Sequence, residues 1–153
     1  MDRLKLIAMD EEDLRIVSAH VQDAVARSAD LAFDAKAGKF ALALNRYVWE
    51  RDRRVSAEKR RTPERRRAML HFERVTAARS TGIERAGEQV LSLLAVGFVP
   101  DGKDDAAGTI ELTFSGDAAV RLEVECIEAR LTDTEAAWAA RARPDHDADL
   151  DQP

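Results

Sequence analysis

The chain predicts an α+β domain: an antiparallel sheet of six or seven strands, rolled or partly closed into a barrel, with an N-terminal helix on its face and a short C-terminal one after it. Three observations carry this expectation. Gly108 to Asp133 holds alternating apolar and polar runs with a turn signal between them. A second alternating pair surrounds Asp34 to Lys39. Glu11 to Ala24 repeats at helical spacing.

Taken in order, Leu4 to Ala8 is a short β-like run, followed by Asp10, a residue of the N-cap type, and by acids at Glu11, Glu12 and Asp13. Those acids suit the positive end of a helix dipole, and Leu14, Val17, Val21 and Ala24 make the apolar stripe. From about Val25 the period becomes two. Leu31 and Phe33 precede Asp34–Lys39, and Phe40, Leu42 and Leu44 follow it. Pairing Phe33 with Phe40 sets Asp34 opposite Lys39, an expected ion pair across a four-residue loop whose Gly38 takes positive φ. Ala41, Ala43, Tyr47 and Trp49 on the opposite face make the return strand central, covered on both sides.

Arg51 to Arg67 changes character: nine Lys/Arg against Asp52, Glu58 and Glu64 give a local balance of +6 in a chain of net charge −5. No apolar face accompanies Thr62-Pro63, so the stretch reads as a long exposed connection. Ala68 to Ala78 and Val90 to Val99 read as further strands, and Asp101 to Gly108 as an acidic loop. In the closing hairpin Ile110, Leu112 and Phe114 share a face with Val120, Leu122, Val124 and Cys126. Parity then sets Phe114 opposite Val120, Leu112 opposite Leu122 and Ile110 opposite Val124, around a three-residue Gly116-Asp117-Ala118 loop. Thr134 to Arg143 can form a last helix that packs Trp138, and Pro144 to Pro153 is an acidic tail expected to be disordered.

The 153 residues fit one domain, residues 1–143, with 45% hydrophobic and 35% charged residues. A domain of this length hides roughly 68–70% of its unfolded surface, enough for a core without staples. Five Phe, two Trp and one Tyr leave that core mainly aliphatic. A single cysteine excludes an intramolecular disulfide, and an N-terminus rich in acids does not read as a signal peptide. No apolar run approaches the roughly 20 residues of a membrane helix. The expectation is a cytoplasmic protein without a membrane segment.

Four features carry possible chemistry, and each has a plainer reading. Arg53, Arg54, Lys59, Arg60, Arg61, Arg65, Arg66 and Arg67 can neutralise phosphates of RNA or another polyanion. Against this, the chain has a pI near 5.3 and no recognisable nucleic-acid motif, so the run also reads as a solvated loop. In the register above, Glu111 faces Glu123 with Glu125 two residues on, a carboxylate row able to hold a cation or share a proton. The plainer alternative is neutralisation by Arg121. Cys126, on an apolar face, reads as a buried hydrophobe; His20, His71 and His146 are the available bases for a nucleophile, with His71 on the polar face of its strand. The spacing of these four residues offers no metal motif, and no glycine-rich phosphate loop is present. Tyr47 and Trp49, beside the basic run, can stack on a partner or be core.

A resemblance adds to this reading. Gln22-Asp23-Ala24, Phe40-Ala41-Leu42 with Leu44-Asn45-Arg46, Leu70-His71-Phe72, Val90 to Leu94, Leu112-Thr113-Phe114, Arg121 to Ala129 and Arg143 to His146 resemble an uncharacterised domain-of-unknown-function family of small, mostly alphaproteobacterial proteins. The similarity runs from about Leu4 to His146 and is weak across the basic run. It implies a single bacterial cytosolic domain and carries no catalytic residue, cofactor or metal over to this chain. The functional expectation is a non-enzymatic binding or adaptor module with a protein partner. The alternatives are polyanion binding through residues 51–67, and a hydrolase built on the carboxylate row.

Overall fold

Among the described residues the alternating runs become ten strands of one antiparallel sheet, more than the six or seven expected, and the sheet is not closed. The computed structural model describes residues 3–48, 65–84, 87–102 and 106–134. The expected Trp138 helix and acidic tail lie outside the described residues.

β1 (Lys5–Ala8) leads into α1 (Glu11–Val21). Asp10 caps the helix by accepting the Asp13 N–H at 2.8 Å, and the Asp13 carboxylate accepts the Met9 N–H at 3.2 Å. The first bond satisfies one of the amides that a helix start leaves open, and the second ties the residue before the cap to the first turn. The helix ends at Val21, three residues before the Ala24 that periodicity had assigned to it, because Asp23 adopts φ 66 and turns the chain into β2 (Ala24–Arg27). A 3-10 turn (Ser28–Asp30) then separates β2 from β3 (Leu31–Asp34).

β3 and β4 (Lys39–Tyr47) form the predicted hairpin, with Phe33 opposite Phe40, Asp34 opposite Lys39 and Gly38 at φ 68. The expected Asp34–Lys39 ion pair does not form. Asp34 closes its own turn by accepting the Ala37 N–H at 3.2 Å, and Lys39 reaches Glu73 at 3.8 Å instead. β4 is central, as its two-sided apolar pattern requires, with β5 (Arg65–Phe72) on one side and β2 and β3 sharing the other. β5 begins at Arg65, so three arginines expected in an exposed connection belong to a strand.

The Ala68–Ala78 run is two strands, not one. Arg74 takes φ 59, and β6 (Val75–Thr81) leaves for the far end of the sheet. β7 (Val90–Pro100), β8 (Gly108–Phe114) and β9 (Ala119–Val124) follow as a meander, and β10 (Ala129–Asp133) returns to pair with β5 and β1. The order is β1-β10-β5-β4-β2-β7-β8-β9-β6, with β3 beside β4. The β8–β9 hairpin keeps the predicted faces but slides by two residues: Leu112 faces Val120, Ile110 faces Leu122 and Gly108 faces Val124. Ser115–Ala118 forms the loop, and the Phe114 N–H donates to the Ala118 carbonyl at 2.8 Å.

Inward residues of the long strands join Leu14, Val17 and Val21 of α1 in one core, so the sheet curls about a single apolar centre. The helix also covers an edge. β2 pairs with β7 only as far as Leu93, and beyond it the Val96 N–H donates to Ser18 Oγ at 2.9 Å. A helix laid over a strand edge blocks edge-to-edge association. At its other end the curl brings β6 to the β3–β4 turn, where the Val75 N–H donates to the Gly38 carbonyl at 2.9 Å.

Candidate ligand slot between two strand edges

β3 and β6 approach each other but do not pair. Among the described residues neither outer edge has a partner strand. The gap is a slot of about 650 Å3, floored by Phe40 and Val120 and walled by Leu31, Phe33, Ala78 and Arg79. That volume falls within the range of small-ligand sites, roughly 300–1,000 Å3. Leu31 and Phe33 face inward, since they pair with the core residues Leu42 and Phe40. With no strand beside it, Phe33 remains 38% exposed.

Both ends of the slot are tied. Val75 and Gly38 close one, through the hydrogen bond above. At the other, Gln89 acts as a staple: its side-chain amide donates to the Gly82 carbonyl at 2.9 Å, and its Oε1 accepts the Glu84 N–H at 2.7 Å. Its backbone N–H donates to Ser28 Oγ at 3.3 Å, and its carbonyl accepts the Ser28 N–H at 2.9 Å. The two walls therefore run antiparallel to one another, the end of β3 meeting the start of β6. Sequence reading missed this slot. Its one local signal is Phe33, an aromatic on the inner face of a short strand.

Of the basic candidates, Arg53, Arg54, Lys59, Arg60 and Arg61, together with Trp49, lie outside the described residues. Arg65, Arg66 and Arg67 open β5 and are engaged with the domain itself: Arg65 lies 5.2 Å over the Tyr47 ring, Arg66 is 3.9 Å from Asp133 and Arg67 is 3.8 Å from Asp30. At this end of the sheet the fold buries a charged pair. Arg46, 1% exposed, grips Asp133, 2% exposed, through Nε–Oδ1 at 2.8 Å and Nη2–Oδ2 at 2.9 Å. The Leu4 N–H donates to Asp133 Oδ2 at 3.0 Å. Burial raises the Asp133 carboxyl, but the Arg46 hydrogen bond, the Leu4 N–H and the charges of Arg46 and Arg66 outweigh it and hold the pKa below its ordinary 3.8.

The carboxylate row is dissolved by the two-residue slide. Glu111 stands opposite Arg121, whose Nε donates to it at 3.0 Å, so the expected Glu111–Glu123 contact does not exist. Glu123 pairs with Arg79 at 3.4 Å, and Glu125 follows the end of β9, its N–H donating to the Arg74 carbonyl. Cys126 is half-exposed in the bend after β9, which corrects its expected place on a buried strand face. His71 does lie on the outer face, half-buried. Burial lowers its pKa, Glu73 acts against this, and Arg130 and Lys39 reinforce it. It lines a smaller hollow of about 230 Å3 with Glu73, Lys39 and Arg130. His20 is spent on the helix, Nδ1 lying 2.9 Å from the Ile16 carbonyl, and His146 lies outside the described residues. Among the described residues no group of three or more His, Cys, Asp or Glu is placed to hold a metal ion. No helix among them is long and apolar enough to cross a membrane.

Fold and slot together define a small antiparallel-sheet domain with one helix and an open seam in its curl. The chain belongs to the family described as "Protein of unknown function (DUF2948)", whose model matches residues 4–146. No curated protein and no solved structure matches it.

Proposed function

We propose that this protein is a binding module that takes a ligand into the slot between β3 and β6. The supporting observation is that the inner face of the sheet is left open there, with inward-facing Phe33 partly uncovered between two unpaired edges. Elsewhere the fold covers such openings, as α1 does for β7. A reporter dye tests the reading. Anilinonaphthalene sulfonate should bind the native protein at one saturable site, and Phe33→Asp should weaken it at least fivefold while circular dichroism shows an unchanged fold. Leu94→Asp, on an exposed apolar residue of β7 away from the slot, should leave it unchanged. Equal binding by wild type and Phe33→Asp overturns the slot.

A second reading, polyanion binding by residues 51–67, is supported by the density of arginine in that segment and by the arginines that continue it into β5. About four to five phosphate contacts give a slope near −3 in log affinity against log salt for a single strand. Because Arg65, Arg66 and Arg67 serve the fold, the informative variant changes Arg53, Arg54, Lys59, Arg60 and Arg61 to Ala. It should abolish that slope. No retention of RNA or DNA oligomers by the wild type at low salt refutes this reading.

A further inference from the structure

We propose that the occupant of the slot is an extended peptide of alternating apolar and acidic residues, added as a strand beside β6. This rests on the slot reading and names its ligand. The walls decide the class. Alternate residues of an edge strand turn their N–H and C=O groups outward, and along β3 and β6 those groups face the slot. A fatty chain or an aromatic ring would strip water from them and return no hydrogen bond, which is unfavourable for any buried polar group. A peptide backbone carries donors and acceptors at the same spacing as the wall and satisfies them.

The walls are lightly defended. Leu31-Ala32-Phe33 carries no charge, and Arg79 is the sole charged residue of β6. Of the usual guards of an edge, β6 has a bulge at Thr76 and the exposed Arg79, whereas lysine, proline and a covering element are missing from these stretches among the described residues. The floor sets the inward side chains of the guest. Phe40 and Val120 below, with Leu31, Phe33 and Ala78 at the sides, accept apolar residues at every second position.

Arg79 sets the outward ones. It lines the slot, as Glu84 does, and points outward on β6, its side chain 78% exposed, 3.4 Å from Glu123 and directly opposite Arg121 on the neighbouring strand. A guest strand on its other side has Arg79 at the cross-strand position, where an acidic residue shares the guanidinium with Glu123 and a basic one adds a further like charge beside Arg79 and Arg121. Because both ends of the slot are tied, the guest is short. The four residues of β3 span about 13 Å, which fits a paired stretch of about four residues.

The test is selection of random displayed heptapeptides on the folded full-length protein. Enrichment of segments alternating apolar with Asp or Glu is expected. Capped synthetic versions should lose at least tenfold in affinity for Phe33→Asp, and Arg79→Glu should shift preference from acidic to basic outward residues. N-methylation of alternate amides, which keeps every side chain, should abolish binding in one of its two phases. Enriched peptides without alternation, indifference to N-methylation in both phases, or no enrichment over Phe33→Asp each overturn the proposal. If the dye still binds the slot in a Phe33-dependent way, that failure removes the peptide alone. If the dye does not bind either, the slot reading falls with it.

Discussion

Asp133→Asn offers the sharpest check on what holds this sheet together. The exchange keeps the size of the side chain and removes its charge from a site where Arg46 is 1% exposed and bound through two short hydrogen bonds. Removing one partner of a buried pair costs about 3–5 kcal/mol, because the other charge stays buried. Against a total stability of roughly 5–15 kcal/mol that is a large share. With an m-value of about 2 kcal/mol/M in urea, the midpoint should fall by about 1.5–2.5 M. Replacing both partners, Arg46→Met with Asp133→Leu, should recover much of the loss, since a well-packed apolar pair needs no compensating charge. The pH dependence follows from the lowered carboxyl. Its stabilisation is fully present above the ordinary 3.8 and is lost as pH falls through the lower folded value. Wild type should therefore lose stability on acidification from pH 5 to pH 2.5 more steeply than Asp133→Asn. A midpoint shift below about 0.5 M, strict additivity of the two single changes, or parallel acid profiles would show that the pair is not the clasp inferred here.

Other outcomes follow from single residues. Leu122→Ala, at a fully buried position, should cost about 2–5 kcal/mol in a denaturant titration, while Glu123→Ala removes only an exposed ion pair and should cost no more than about 1 kcal/mol; equal losses would mean the faces of β9 are misassigned. Gly38→Ala and Gly116→Ala both place a side chain at positive φ, at about 1–2 kcal/mol each, but at Gly38 the new Cβ also meets the Val75 carbonyl at 3.2 Å, so the first should be the more damaging. Equal losses would show that the Gly38–Val75 closure is loose. Cys126, half-exposed, should react with a thiol reagent in the folded protein, more slowly than after unfolding; complete protection until unfolding would restore the buried position.

The hairpins show how far the residues themselves disclose the fold. At Phe33–Phe40 a turn of fixed length, with Gly38 at its one positive-φ position, set both parity and register, and the reading matched. At β8–β9 the same alternation set parity alone, because a period of two leaves slides of two residues equally patterned. What selects the observed register is tertiary. Ser115 donates its N–H to the Ser92 carbonyl, and at Gly108 a Cβ would collide with the Val99 carbonyl and the Phe98 ring. The strand breaks were hidden for a related reason: Asp23 and Arg74 hold positive φ without being glycine, which composition does not announce. The slot was illegible because its walls lie some forty residues apart in sequence, from Asp34 at the end of β3 to Val75 at the start of β6, and a strand is an edge only once the sheet order is known.

The seam itself traces to two local features, a turn and the point where β7 begins. Val25 pairs with Asn45 of β4, while Leu31 pairs with Leu42, so six residues of one chain advance only three along the other. The surplus is taken up by the Ser28–Asp30 turn, which is held by Asp30 accepting the Arg27 N–H at 2.9 Å and lying 3.8 Å from Arg67. Before the turn, β2 has β7 as its second neighbour and continues the sheet. After it, β3 lies beyond the start of β7 at Val90 and, among the described residues, keeps β4 as its sole partner strand. Because β7 begins at Val90, opposite Arg27, a straight strand through this stretch would also have run past it. The turn and the start of β7 at Val90 together divide one strand into a central half and an edge half, and the curl of the remaining sheet brings β6 opposite that edge. The opening follows from the strand order, this offset and the start of β7 at Val90, so the segment that completes the sheet at Val25 leaves it open at Phe33.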